Sequence, residues 1–292
     1  MARRSPRPTY CRVTMAGLAE DDRRRASSHG ESTGSEVPLR PAATVMLLRD
    51  HLHVGLQVFM LQRTRNAAFA RGMYVFPGGR VDETDALMNL ESVCDGLGDT
   101  EASAILGLQS GGLAYWVAAI RECFEEAGVL LASGIAASEH DYVAERAKVH
   151  AGERSMVELC RRWGATLQPA RLHYVSHWVT PVGESRRFDT RFFLAPAPPD
   201  QAATHDDVET VDSLWISPTE ALWRHGRREL AMIPPTIANL EMIAKHATVA
   251  DACSAAAAMP RPSVIEPRLR VDADGRVIGV VLPGEPGFDD AT

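Results

Sequence analysis

Arg121-Glu122-Cys123-Phe124-Glu125-Glu126-Ala127-Gly128 is the stretch from which the rest of the chain can be read. Wound as a helix at about 100° per residue, Arg121, Glu122, Glu125 and Glu126 fall within an arc of roughly 140°. Trp116, Ile120, Cys123, Phe124 and Ala127 share the opposite side. One face is thus a core seam, and the other carries three carboxylates and a guanidinium. Glu122 and Glu126 stand at the i,i+4 spacing where like charges destabilise a helix. A hard divalent cation, Mg²⁺ or Mn²⁺, removes that conflict, because it prefers carboxylate and water oxygens. The competing reading is a solvated charged face, the usual place for mixed charges on a helix.

Upstream, Phe76-Pro77-Gly78-Gly79 follows an apolar run, and glycines there let backbone approach a metal or phosphate closely. Together with R-E-x-x-E-E-x-G-V from Arg121 onward, this pattern resembles the box that defines the Nudix family. Gly79 opens the box, Asp85 stands where the family has its first Glu, and Cys123 and Val129 take the bulky apolar positions. Between Asp85 and Arg121 lie 35 residues where the family has seven, an insertion of 28.

The segments Phe76–Asp82, Arg121–Leu131 and Arg186–Leu194 further resemble the acyl-coenzyme A diphosphatase branch of that family. The likeness covers about residues 42–247. It implies an α/β fold, a Nudix-type α/β/α sandwich around a mixed sheet. It also implies metal-dependent hydrolysis of a diphosphate joining a nucleoside to a further group, with coenzyme A or acyl-CoA the leading substrate.

By motif position Glu122, Glu125 and Glu126 would be the metal ligands, joined by the Gly79 carbonyl. Arg121 would orient them through charge-assisted hydrogen bonds. Glu122 is the first candidate for the base and Glu209 the second, against its reading as a surface strand residue. Arg63, Arg65 and Arg71 precede Phe76 and are candidates for the substrate's phosphates, although Ala68 stands where a coenzyme A signature expects Arg. Arg187, with Asp189, is a further substrate candidate; a salt bridge on the sheet is the equal alternative. ADP-ribose, NADH or another dinucleotide remains a rival substrate, and a nucleotide-binding regulator without catalysis a rival class. Because all three acids of the trio are present, catalysis is favoured over regulation.

Composition fits this. The 292 residues are 45% hydrophobic and 24% charged, ordinary for a globular chain, and the net charge of −7 argues against a nucleic-acid binder. Cys11, Cys94, Cys123, Cys160 and Cys253 form no C-x-x-C pair, suiting a reducing compartment better than a disulfide framework. No run approaches the roughly 18 apolar residues of a membrane span, and no secretory signal is visible, so the expected location is cytoplasmic. The partner is a small nucleotide diphosphate; a homodimer is left open.

Residues 1–38 lack apolar periodicity and are expected to be a disordered tail, with Met15 an alternative start. A single domain is expected over 40–285, with an insertion of short helices and loop at about 86–112 and a helical C-terminal elaboration. Within it, 43–49 and 56–61 read as strands, 113–127 as the box helix and 129–131 as a short strand. One or two helices follow between 138 and 164, with Val143 on the apolar side. Strands are expected at 172–180, 187–194 and 208–216, then helices at 218–225, 234–246 and 249–258. Asp274-Gly275 marks a closing hairpin.

Overall fold

The computed structural model describes residues 37–65, 67, 70–82, 89–206 and 208–291. Asp85, Ala68 and nearly all of the expected tail lie outside the described residues. Four strands come first: β1 (Leu39–His51), β2 (Gly55–Arg63), β3 (Tyr74–Val75) and β4 (Gly78–Arg80). The insertion supplies a 3-10 turn at Leu90–Val93 and helix α1 (Asp99–Leu106). The box helix α2 spans Leu113–Ala127. Then come β5 (Ala132–Ser133), α3 (Glu139–His150), α4 (Met156–Trp163), β6 (Thr166–Leu167), β7 (His173–Val179), β8 (Arg187–Pro196) and β9 (Thr210–Ile216). Helices α5 (Pro218–Gly226), α6 (Pro234–Ile243) and α7 (Val249–Ala257) precede β10 (Val264–Ile265), β11 (Arg268–Val271) and β12 (Val277–Val281).

β1 reads as a near-continuous apolar run because both of its faces are buried, as in a central strand. Ala43, Val45 and Leu47 join Phe59 and Leu61 of β2 against the box helix. Met46 and Leu48, with Val58 and Met60, are equally buried on the reverse face. There α5 packs on β2, and α7 packs on β1 and β7. The order along the mixed sheet is β7-β8-β1-β2-β3, with β4 hydrogen-bonded to β1 and β9 to β2. This is the expected α/β/α layering.

Helix α2 is buried along its whole length, its charged face included. Its N-cap is Gly112, which has no side chain to offer the first free amides. The insertion fills that role. Asp99, opening α1, accepts from Gly111 N at 2.9 Å and Leu113 N at 3.0 Å, and Ser103 Oγ accepts from Gly112 N at 2.9 Å. At the other end Gly128 adopts φ 64°, the left-handed conformation that closes a helix without a Cβ clash.

The chain divides into two compact units. The larger, residues 39–179 and 188–264, holds the box helix and nearly all of the sheet. In the smaller, among described residues, β11 pairs with β12 across a turn in which Asp272 N donates to Arg276 O at 2.9 Å. Among the described residues no helix is long and apolar enough to cross a membrane.

Two readings need correction. Residues 129–131 are buried chain outside any strand, and β5 begins at Ala132. A short apolar run does not distinguish a buried connection from a buried strand. Val143 is 66% exposed, because α3 turns Tyr142 inward to stack on Trp163 at 5.4 Å.

Candidate active site

β4 and the box helix build the site between them. Gly79 pairs with Ala43 of β1, which fixes the Gly78-Gly79 backbone at the edge of α2. The Glu122 carboxylate lies against it: a Cβ at Gly79 would fall 2.4 Å from Glu122 Oε1 and 2.7 Å from Oε2. Only glycine leaves that space. Next along the strand, Gly78 N donates to Glu126 Oε2 at 2.9 Å. These glycines are therefore shaped around two specific carboxylates.

Arg121 binds one oxygen each of Glu122 and Glu125. Its Nη1 donates to Glu122 Oε1 and Glu125 Oε1, both at 3.0 Å. Its Nη2 donates to Arg80 O at 2.7 Å and stands 3.5 Å from Asp82. Arg63 approaches from β2, with Nη1 3.6 Å from Glu126 Oε1 and Nη2 donating to Glu209 Oε2 at 3.1 Å. Its Nε is buried and has no partner among the described residues. His150, at the end of α3, stands 3.9 Å from Glu125.

The electrostatics are strained. Burial pushes the Glu122 carboxyl up to about 8; the Arg121 charge opposes this, while Glu125 adds to it. Glu126 is driven well above the ordinary carboxylate range, first by burial and then by the charge of Glu122, with Arg63 and the Gly78 amide opposing. Glu125 is raised by burial and held back by Arg121. The three acids are approached, among the described residues, by the guanidiniums of Arg121 and Arg63, with Glu209 and Asp82 beside them and Arg80 3.9 Å from Asp82. Among the described residues no three His, Cys, Asp or Glu side chains are already gathered around one ion position, Arg121 being lodged between Glu122 and Glu125. The donor set nevertheless suits a hard divalent cation, since it is all oxygen, buried and short of positive charge.

The other candidates have different surroundings. Arg65 is exposed, and Arg71 donates to Ala67 O at 2.9 Å within its own loop. Arg187 belongs to the smaller unit, where it is buried and donates to Thr180 O at 3.1 Å and Glu266 Oε1 at 2.6 Å. Asp189 instead takes His177, at 2.5 Å, and Arg191. Sequence reasoning missed His150, carried by a separate helix with no motif, and the place of Asp82 beside Arg121. The Phe-Pro-Gly-Gly-x-x-Asp spacing did carry a signal for Asp82.

A fold of this layering with a buried Arg-Glu cluster packed on Gly-Gly defines a class. A family model described as the NUDT19 Nudix domain matches residues 98–243, and the chain belongs to the Nudix hydrolase family, in the NUDT19 branch. It is 28% identical over 235 residues to the acyl-coenzyme A diphosphatase NUDT19 of Homo sapiens, covering 68% of this chain and 63% of that protein. To the Gallus gallus protein of the same name it is 29% identical over 240 residues, covering 67% and 63%. The chain thus spans about 63% of the length of these curated relatives. Among solved structures, a NUDIX hydrolase from Alicyclobacillus acidocaldarius superposes with a TM-score of 0.62 at 25% identity, covering 75% of this chain and 97% of that one.

Proposed function

We propose that this chain is a metal-dependent diphosphatase acting on a nucleoside diphosphate linked to a further group, with coenzyme A or its acyl derivatives as the leading substrate. The observation that carries this is the set of Glu122, Glu125 and Glu126, buried together and packed against the Gly78-Gly79 backbone. Burying three carboxylates in one helical turn is costly unless their charge is used. Glu122, Glu125 and Glu126, with the Gly79 carbonyl, would hold Mg²⁺ or Mn²⁺, which supplies charge neutralisation at the diphosphate and acidifies water. Arg121, which donates to Glu122 Oε1 and Glu125 Oε1, would have to share those carboxylates with the ion, so binding requires some rearrangement of the three acids. The acyl-coenzyme A preference rests on the curated relatives' names and on the branch likeness.

A panel of coenzyme A, acyl-CoA, ADP-ribose, NADH and diadenosine compounds, assayed with Mg²⁺ and with Mn²⁺ and resolved by mass, tests the reading. Hydrolysis of coenzyme A or acyl-CoA to a nucleoside bisphosphate and a phosphopantetheine fragment is expected. If ADP-ribose or NADH is better by about tenfold in kcat/KM, the coenzyme A assignment fails; binding without turnover would favour a regulator.

Arg63 can be tested separately. Were it to grip the 3′-phosphate of coenzyme A, Arg63→Ala would harm coenzyme A and spare dephospho-CoA. Its placement between Glu126 and Glu209 favours another role, steadying Glu126. Removing one charge-assisted contact of about 1.5–3 kcal/mol should then lower kcat roughly 10- to 150-fold on both substrates alike. A loss confined to coenzyme A would return Arg63 to the phosphate.

A further inference from the structure

Helix α3 carries Tyr142, Arg146 and His150 four residues apart, so at about 100° per residue they fall within an arc of roughly 80°. That face serves the box helix. The Tyr142 hydroxyl donates to Gly128 O at 3.2 Å and accepts from Leu130 N at 3.1 Å, just past the end of α2. Arg146 Nε donates to Glu125 O at 2.9 Å, and its Nη2 donates to Thr204 O at 3.0 Å. Arg146 thus holds the backbone of Glu125, and His150, one turn further on, meets the side chain of the same residue. Its Nδ1 stands 3.9 Å from Glu125 Oε2.

That nitrogen is buried and has no hydrogen-bond partner among the described residues, although the His150 side chain as a whole is 25% exposed. Buried polar side-chain atoms are nearly always paired, so an orphan facing a carboxylate calls for a reason. The gap to Oε2 exceeds an ordinary hydrogen bond by about 1 Å. Were Nδ1 the unprotonated nitrogen of a neutral ring, its lone pair would face a carboxylate oxygen, acceptor against acceptor. The Nδ1–H tautomer removes that conflict and supplies a donor. Glu125 has a donor on its other oxygen already, Arg121 Nη1 at 3.0 Å from Oε1. A carboxylate gripped at one oxygen can still swing about that contact, whereas a second donor fixes its plane.

We propose that His150 is a positioning residue, donating from Nδ1 to Glu125 Oε2 once that carboxylate turns to hold a divalent cation. The inference rests on the proposed metal role of Glu125. Admitting an ion requires the three acids to rearrange around Arg121, and a shift of about 1 Å at Oε2 brings it within reach of His150. Each carboxylate oxygen has two lone pairs, so Oε2 can accept this bond and still serve as a ligand. Donors outside the ligand sphere orient the ligand and sustain affinity for the ion.

Titration of the full chain with Mn²⁺, read by the paramagnetic resonance of the free ion, tests this together with nitrogen NMR of the histidine rings in the metal-free chain. The site followed is the one that Glu125→Gln weakens. His150→Ala is expected to weaken Mn²⁺ there by about tenfold or more, the scale for loss of an outer donor. Its metal-free melting temperature should match the parent's, since Nδ1 has no hydrogen bond to lose. His150→Asn sets an amide N–H where Nδ1 stood and should recover most of the affinity. His150→Gln sets it near the Nε2 position and should bind as weakly as His150→Ala. In the NMR spectrum, neutral His150 should carry its proton on Nδ1. Equal Mn²⁺ affinity in parent and His150→Ala overturns the proposal and leaves the metal site standing. So does tighter binding by His150→Gln than by His150→Asn, a neutral ring protonated on Nε2, or a lower metal-free melting temperature in His150→Ala. If the parent shows no saturable Mn²⁺ site sensitive to Glu125→Gln, the metal reading itself falls, and the role of His150 with it.

Discussion

Glu126→Gln is expected to lower kcat by at least about 10²-fold at saturating Mg²⁺, the scale of losing one strong electrostatic contact in a water-poor site. The same change should leave the fold as stable as before, or more so. Gln keeps the shape, and its carbonyl can still accept from Gly78 N, the contact Glu126 makes at 2.9 Å. What disappears is a buried negative charge. Burial and Glu122 raise Glu126 well above the ordinary carboxylate range, so its ionised form is the unfavourable one without metal. A carboxyl raised in the folded state contributes stability that is present at low pH. That contribution is lost as pH climbs from the unfolded value through the folded one. In chelator, the parent should therefore lose stability as pH rises from the ordinary carboxylate range toward about 8, where Glu122 ionises. Glu126→Gln should flatten that slope. Melting curves with EDTA across this window, beside steady-state kinetics with Mg²⁺, test both halves. Activity within threefold of the parent would remove Glu126 from the metal site, and a melting temperature several degrees lower would make its role structural.

Sequence carried the box helix well because three independent signals agree on it. The apolar seam from Trp116 to Ala127 sets its period, Gly128 ends it, and the charged residues share one side. Strands β1 and β2 were legible for a similar reason, being long apolar runs separated by a polar turn. Strands β3 and β4 were not. They are two and three residues long, and only pairing with β2 and β1 makes them strands, which no local pattern reports. The insertion was legible as helix and loop, but its service to α2 was not. Asp99 reaches Leu113 across 14 residues, and such a contact exists only after α1 packs.

The site divides along the same line. Glu122, Glu125 and Glu126 were readable as one face, because helical spacing is local. That this face would be buried was not, since a charged face ordinarily meets water. Its burial depends on β4 covering it, and the Gly79 position, which a Cβ would fill against Glu122, is the visible trace of that cover. Among the arginines, sequence put Arg63 first for the substrate's phosphates, with Arg65 and Arg71 as alternatives. The pairing of β2 with β9 is what separates them, bringing Arg63 beside Glu209 and leaving Arg65 and Arg71 on the surface.

Arg121→Gln is expected to have the largest effect on stability, and one that metal reverses in part. Arg121 is 7% exposed and serves Glu122, Glu125, the Arg80 carbonyl and Asp82 together. Removing one partner of a buried charge network costs about 3–5 kcal/mol, because the remaining charges are left uncompensated. Glutamine can still donate to one carboxylate but cannot span two, and it carries no charge. In chelator the variant should therefore melt well below the parent. At the proposed metal site a divalent cation would supply positive charge at the same oxygens, so added Mg²⁺ should raise the variant's melting temperature more than the parent's, by the linkage that stabilises any state able to bind. Turnover should stay depressed even at saturating Mg²⁺, since the ion neutralises Glu122 and Glu125 without fixing their rotamers. Arg121→Lys separates charge from geometry: it restores the charge but not the planar fork that donates to two carboxylates. It should recover most of the stability and little of the kcat. If Mg²⁺ shifts the melting temperatures of parent and Arg121→Gln equally, the cation and Arg121 do not share the same carboxylates, and the metal site must be sought away from Glu122 and Glu125.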